Sequence, residues 1–342
     1  MESGIRTARV TLHSVAAAAG VSKSTVSRIL DERLPVADNE TARRVRQVAA
    51  ELGYVRDSAA ASLRRGQTMT IGVIVPRLTD TVMAMLYEAI AAACARTGRM
   101  ALVATTGDRV EEEARAAELL LQRGVDGLIL ATARDGDELP RALAERGIAY
   151  VLALRTDGES PSAIGDDQLG GYLATRHLID LGHRRIGIIA GPSYASSASG
   201  RLAGYRQAMA EQGLVPSDDH IVESSFSIDA GTDAALRLMR LDPRPTAIFA
   251  VNDNTAIGAM SALVNLGLRV PEDVSLVGYN DIPIVGRLPT PLTSVRVPFD
   301  QIATIALEML IAGRKTQATG VRQVAPTLIP RRSTARAPMD AG

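Results

Sequence analysis

The chain has 342 residues, 46% of them hydrophobic and 22% charged, which predicts two or three folded domains with ample core and excludes a disordered or fibrous chain. Its net charge is zero, but residues 1–66 hold eleven Lys/Arg against seven acids while the rest holds 27 against 31. A basic head of +4 on an acidic body of −4 fits a polyanion bound at one end. A single cysteine, Cys94, excludes an internal disulfide, and its apolar context marks a buried thiol. The opening MESGIRTARV lacks an apolar signal region and no run reaches membrane-spanning length, so a cytoplasmic protein is expected.

The first predicted elements are two short helices. In TLHSVAAAAG, Leu12, Val15, Ala16 and Ala19 form one apolar stripe, Thr11 caps its start and Gly20 ends it. Ser22 caps a second helix in which Val26, Ile29 and Leu30 face inward and Lys23, Ser24, Ser27 and Arg28 face outward. Two helices about a tight glycine turn, the second showing small polar and cationic side chains, are what a helix-turn-helix needs to enter a major groove. A third helix is predicted up to Leu52, capped by Asp38, with Val45, Val48, Ala49 and Leu52 inward. Arg43, Arg44 and Arg46 on its outer face serve either phosphates or solvent. Asp57 to Gly66 is too poor in apolar surface for a stable lone helix. It reads as a linker, or as a helix formed on DNA with Leu63 as an apolar wedge and Ala60 allowing close backbone approach.

This order of segments, TLHSVAAAAGVSKSTVSRIL, then AELGYVRD, then a short stretch with Leu63, resembles the lac repressor (LacI/GalR) family of bacterial transcription regulators. The resemblance implies a three-helix headpiece (1–56), a hinge helix (57–66) and dimeric binding to near-palindromic operator DNA. It implies base-reading roles for Lys23, Ser24 and Arg28, and phosphate-contacting roles for Ser22, Thr25 and Ser27 beside Thr11. At the hinge, Arg56, Asp57 and Ala61 depart from the family pattern, and an acid at Asp57 is unfavourable beside phosphates.

Beyond the head, continuous apolar runs alternate with helical stretches. The runs are 71–75, 100–104, 127–130, 150–153, 186–190, 247–251 and 275–278; the helical stretches between them include 82–97, 111–122, 169–181, 201–212 and 255–266. Unbroken apolar strands are buried on both faces, so parallel sheets sandwiched by helices are predicted, in two sets divided near 164–167. Ligands on such sheets sit off the carboxyl ends of the strands, so the cleft between two Rossmann-like lobes is the expected pocket.

The resemblance extends through IGVIVP, DDQLGGYLATRHLIDLGHRRIGIIAGP, GRLAGY, AVNDNTAIGAM, VPEDVSLVGYNDIP, PLTSVRVP and LIPRRST. It implies an α/β effector domain (67–342) with the periplasmic-binding-protein fold, lobe 1 at about 67–165 and 294–325 and lobe 2 at about 166–293 and 326–334. No heptad segment follows Thr334, so a homodimer is expected.

Effector contacts are expected from Asp80, Val82, Ser197, Arg201, Phe226, Asn252, Asp253 and Asn280. Arg201 is read as a clamp on ligand oxygens, since a cation at a helix start opposes the helix dipole. Asp253 serves as ligand contact or helix cap, and Phe226 as pocket wall or core. Asn280, where many relatives have Asp, removes one anion from the cleft. Asp80 and Val82 stand in place of the Asn and Phe of the family's Asn-Pro-Phe turn, so an aromatic platform is missing there. Asp166-Asp167 are read as ordering the lobe junction.

Enzyme readings fare poorly. Neither a dinucleotide nor a nucleotide phosphate loop is present, and His13, His177, His183 and His220 lack metal-ligand spacing. No metal, cofactor, catalytic residue or membrane partner is expected. The function read here is a regulator, acting as a repressor, controlled by a small metabolite such as a sugar or sugar acid. The competing reading, a solute-binding protein of a transporter, needs a signal peptide and leaves residues 1–66 without use.

Overall fold

A computed structural model describes residues 10–31, 35, 37–54, 67–313 and 320–338. The hinge positions Arg56, Asp57, Ala60, Ala61 and Leu63 lie outside the described residues. Contacts divide the chain into two units, 1–68 and 69–342.

The head is three helices, α1 (Leu12–Ala19), α2 (Lys23–Ile29) and α3 (Glu40–Glu51). Thr11 accepts the Ser14 amide and Ser14 returns a bond to the Thr11 amide, so two orphan donors at the start of α1 are met. Gly20 ends it at φ 65, a conformation cheap only for glycine. Ser22 caps α2 through the Thr25 amide. α3 is capped by Asn39 rather than Asp38, because Asn39 Oδ1 reaches the Ala42 amide at 2.8 Å while Asp38 pairs with Arg43 at 3.1 Å. Val15, Val26 and Val45 meet at full burial with Ala16, Ala19 and Ala49. Leu52, expected inward, is 39% exposed, since it falls after the last turn.

The body holds two six-stranded sheets. The first runs β11 (Val321–Val324), β5 (Ser162–Gly165), β4 (Tyr150–Ala153), β3 (Leu128–Leu130), β1 (Thr70–Val75), β2 (Met100–Thr105), with parallel pairing throughout. The second runs β12 (Thr327–Ile329), β10 (Thr293–Arg296), β9 (Ser275–Asn280), β8 (Ala247–Ala250), β6 (Ile186–Ala190), β7 (Ile221–Glu223); only β12 is antiparallel. Burial on both faces explains the unbroken apolar runs: in β1, Val73 and Val75 pack into one core cluster and Ile74 into another.

Helices α4 (Thr81–Arg96), α5 (Val110–Gln122) and α6 (Glu138–Glu145) belong to the first lobe. The second has α7 (Asp167–Asp180), α8 (Ser196–Ala210), α9 (Ile228–Met239) and α10 (Asp253–Asn265); α11 (Phe299–Gly313) returns to pack on α4. The chain passes between lobes after Gly165, after Arg296 and after Val324. The second passage is later than expected, because β10 pairs with β9 and keeps Ser294 to Arg296 in the second lobe. α7 and α8 cross in near backbone contact: a Cβ on Gly171 would stand 2.1 Å from the Arg201 carbonyl oxygen, and one on Gly204 2.0 Å from that of Gln168. This crossing brings Arg201 beside Asp167.

Candidate functional site

In the head, Lys23, Ser24 and Arg28 are exposed on α2, while Thr25 and Ser27 are half-buried beside them. Ser22 Oγ lies 2.8 Å from both Ser24 Oγ and Thr25 Oγ1, tying the first turn into one hydroxyl cluster. Two cations and a row of hydroxyls on one short exposed helix form a surface for phosphate and base edges. Arg43 and Arg46 turn back to the loop before α3, Arg43 to Asp38 and Arg46 to the Ala37 carbonyl.

In the body, side chains of the two lobes meet off the ends of the strands. On the first-lobe side, Asp80 caps α4 through the Val82 amide and accepts from Asn254 Nδ2 of the second lobe at 3.3 Å. Asp108 pairs with Arg134 at 2.9 Å and accepts from the second-lobe Tyr194 hydroxyl at 3.0 Å. Arg134 also stacks on the Tyr194 ring, 4.3 Å from its centre. The Thr156 amide donates to Ser196 Oγ at 2.9 Å, and the Asp135 amide to the Tyr194 carbonyl at 3.1 Å. Burial pushes the Asp80 carboxyl above its usual range.

Arg201 does not stand at a helix start. Helix α8 begins at Ser196, which places Arg201 in its second turn, so the dipole argument for it falls. It is 7% exposed, bonded to Asp167 Oδ1 at 2.8 Å and to the Val251 carbonyl at 2.7 Å, with the Tyr279 ring 3.8 Å away. Burial is the strongest single influence and would lower its pKa, but Asp167 and Tyr279 together outweigh it and the net direction is up. Asp166 caps α7 through the Leu169 amide, so both acids of the pair order this junction.

Asn252, not Asp253, caps α10: its Oδ1 accepts the Thr255 amide at 2.8 Å and its Nδ2 donates to the Phe226 carbonyl at 3.0 Å. Asp253 has no exposed surface; it accepts from Ser294 Oγ at 2.7 Å and the Ile282 amide at 2.8 Å. Its carboxyl, pushed up to about 7 by burial, fastens α10 to β10. Phe226 is half-buried, packed on the core and seated where Gly191 leaves room, since a Cβ there would lie 2.8 Å from the ring. Val82 and Ser197 are buried, 7% and 6% exposed; the neighbouring Ser196 makes the bond between lobes. Asn280 is buried at the end of β9 with φ 99, followed by Asp281 at φ 56, whose carboxylate pairs with Arg296 at 2.7 Å and Arg331 at 2.6 Å.

Asp108, Arg134, Arg155, Tyr194, Ser196 and Asn254 were not expected at this junction. Arg155 carried a readable signal, a cation just past the end of an unbroken apolar strand. A cavity of about 550 Å³ opens at the lobe crossover, where Thr156 and Ser196 join Asp166 and Asp167 in its wall; others of about 790 Å³ beside α6 and β4 and about 350 Å³ beside β2 and α5 lie away from the junction.

Residues 11–57 match the model of bacterial regulatory proteins of the lacI family, and residues 175–334 that of a periplasmic binding protein-like domain. The chain is 33% identical over 329 residues to the ribose operon repressor of Haemophilus influenzae, covering 94% of this chain and 98% of that one. It is also 33% identical over 304 residues to the transcriptional repressor PurR of Vibrio campbellii, covering 88% and 91%. The chain belongs to the lacI family. Among solved structures, the lac repressor dimer bound to operator and the anti-inducer ONPF is similar at a TM-score of 0.85 and 29% identity, covering 96% of this chain and 100% of that one. As a lacI-family member it is a DNA-binding transcription regulator, and the solute-binding reading is not favoured. Its helix-turn-helix and its two parallel-sheet lobes are the two parts of that family's fold.

Proposed function

We propose that this chain is a repressor that binds a near-palindromic operator as a homodimer and answers to a sugar or sugar derivative held between its lobes. The observation that carries the reading is the lobe junction, where six side chains off the strand ends bond or stack across the gap. A ligand that fits one lobe arrangement better than another shifts the balance between them, and only such a ligand can act. The ribose operon repressor among the relatives supports a sugar.

A dimer is supported by the edge strand β2, whose Met100 and Leu102 are 68% and 38% exposed, with Leu119 of α5 beside Leu102 and 52% exposed. An apolar strip on an open sheet edge is a surface a second copy covers. Among the described residues no helix is long and apolar enough to cross a membrane. We place the regulator in the cytoplasm, with its DNA.

Selection from a randomised duplex pool tests the reading. The expected product is an inverted repeat bound by two chains, with affinity falling steeply as salt rises. Recovery of unenriched sequence contradicts it.

A further inference from the structure

Among the described residues, Arg134, Arg201 and Arg155 come to the lobe junction, and the first two are each paired with a carboxylate. Arg134 holds Asp108 and Arg201 holds Asp167. The third, Arg155, is 5% exposed and its Nη1 is buried without a hydrogen-bond partner. It follows β4 of the first lobe, yet its guanidinium carbon lies 5.4 Å from the Phe226 ring centre and 5.9 Å from that of Tyr194, both in the second lobe. Leu154 just before it adopts φ 64, an uncommon conformation for a leucine.

The nearby carboxylates, Asp108 and Asp80, attract this charge through space, but their hydrogen bonds go to other groups. Asp108 is shared by Arg134 and Tyr194, and Asp80 by the start of α4 and Asn254. A guanidinium does not shed its proton, so the buried charge stays and needs compensation. A neutral hydroxyl satisfies an N–H group but leaves that charge; an oxyanion meets both needs through paired hydrogen bonds. We infer that the effector carries an oxyanion, a carboxylate or a phosphate, and that Arg155 is the side chain that binds it. This rests on the lobe junction being the effector site.

The test compares full-length wild type with Arg155→Met and Arg155→Gln by thermal shift and operator titration. Without ligand, both variants melt at the wild-type temperature or about 2–4 °C above it, because an unpaired buried charge has gone. A structural arginine would lower the melting temperature, and a fall in both variants overturns the inference. Matched pairs then follow at about 10 mM: galactose and galacturonate, glucose and gluconate, ribose and ribose 5-phosphate, with inorganic phosphate alone. At least one anion is expected to stabilise wild type more than its neutral counterpart does, and to bind both variants at least about tenfold more weakly. Whether acids or phosphates respond decides the oxyanion. Neutral sugars that stabilise wild type and variants alike overturn this inference and leave the effector site standing. A panel without one anion favouring wild type also overturns it; if no compound shifts operator affinity either, the effector site falls with it.

Discussion

Arg28 and Arg201 are both helical arginines with family-implied binding roles, yet their surroundings are opposite. Arg28 is exposed in the last turn of α2, on a head whose core is a few valines and alanines. Arg201 is buried in α8, bonded to Asp167 and the Val251 carbonyl and stacked on Tyr279. The head presents its chemistry outward from a small frame, so its surface changes without its fold. In the body the same side chains hold the lobe together and lie at the proposed effector site, so binding there would be linked to stability.

That contrast is broken most forcefully at Arg201. Arg201→Ala leaves Asp167 as a buried unpaired carboxylate and is expected to destabilise the body by about 3–5 kcal/mol, measured by denaturant unfolding. A variant as stable as wild type would place Arg201 with Arg28, as a binding residue only. Arg28→Ala is next. It should weaken specific operator binding by about 1–3 kcal/mol while stability stays within about 0.5 kcal/mol, read by gel shift and by melting. Loss of both together would mean that the head does not separate surface from frame.

The smallest expected effect sharpens the contrast through pH. Glu113 on α5 is 1% exposed, and burial pushes its pKa up to about 7. The folded protein therefore holds a proton that the unfolded chain has lost, and stability from this group is present at acid pH and lost as pH rises through about 7. Glu113→Gln should flatten that slope and exceed wild type by about 1 kcal/mol near pH 8. An unchanged pH profile would contradict the assignment.

The parts legible in sequence are those set by neighbours along the chain. Thr11, Ser22 and Gly20 announce the ends of the head helices because caps act over three residues. The central strands show because burial on both faces forces unbroken apolar runs. Strands β5, β7, β10, β11 and β12 did not show: each has three or four residues, and β7, β11 and β12 lie on sheet edges where one side needs no apolar cover. At the lobe junction, Asn252 bonds the Phe226 carbonyl and Asp253 fastens α10 to β10, ties that span 26 and 41 positions. Tyr194, Asn254 and Asp108 were hidden because their partners are 86 or more positions away, and no local pattern marks such a pair.

The central claim is that a metabolite bound between the lobes changes how tightly the head holds its operator. The direct measurement is operator affinity of the full-length protein, on the duplex that selection yields, with and without a saturating ligand. A coupled pair of sites predicts a change of about 5–150-fold, mirrored by an equal change in ligand affinity when operator is present. A ligand that saturates the body and leaves operator affinity unchanged would contradict it.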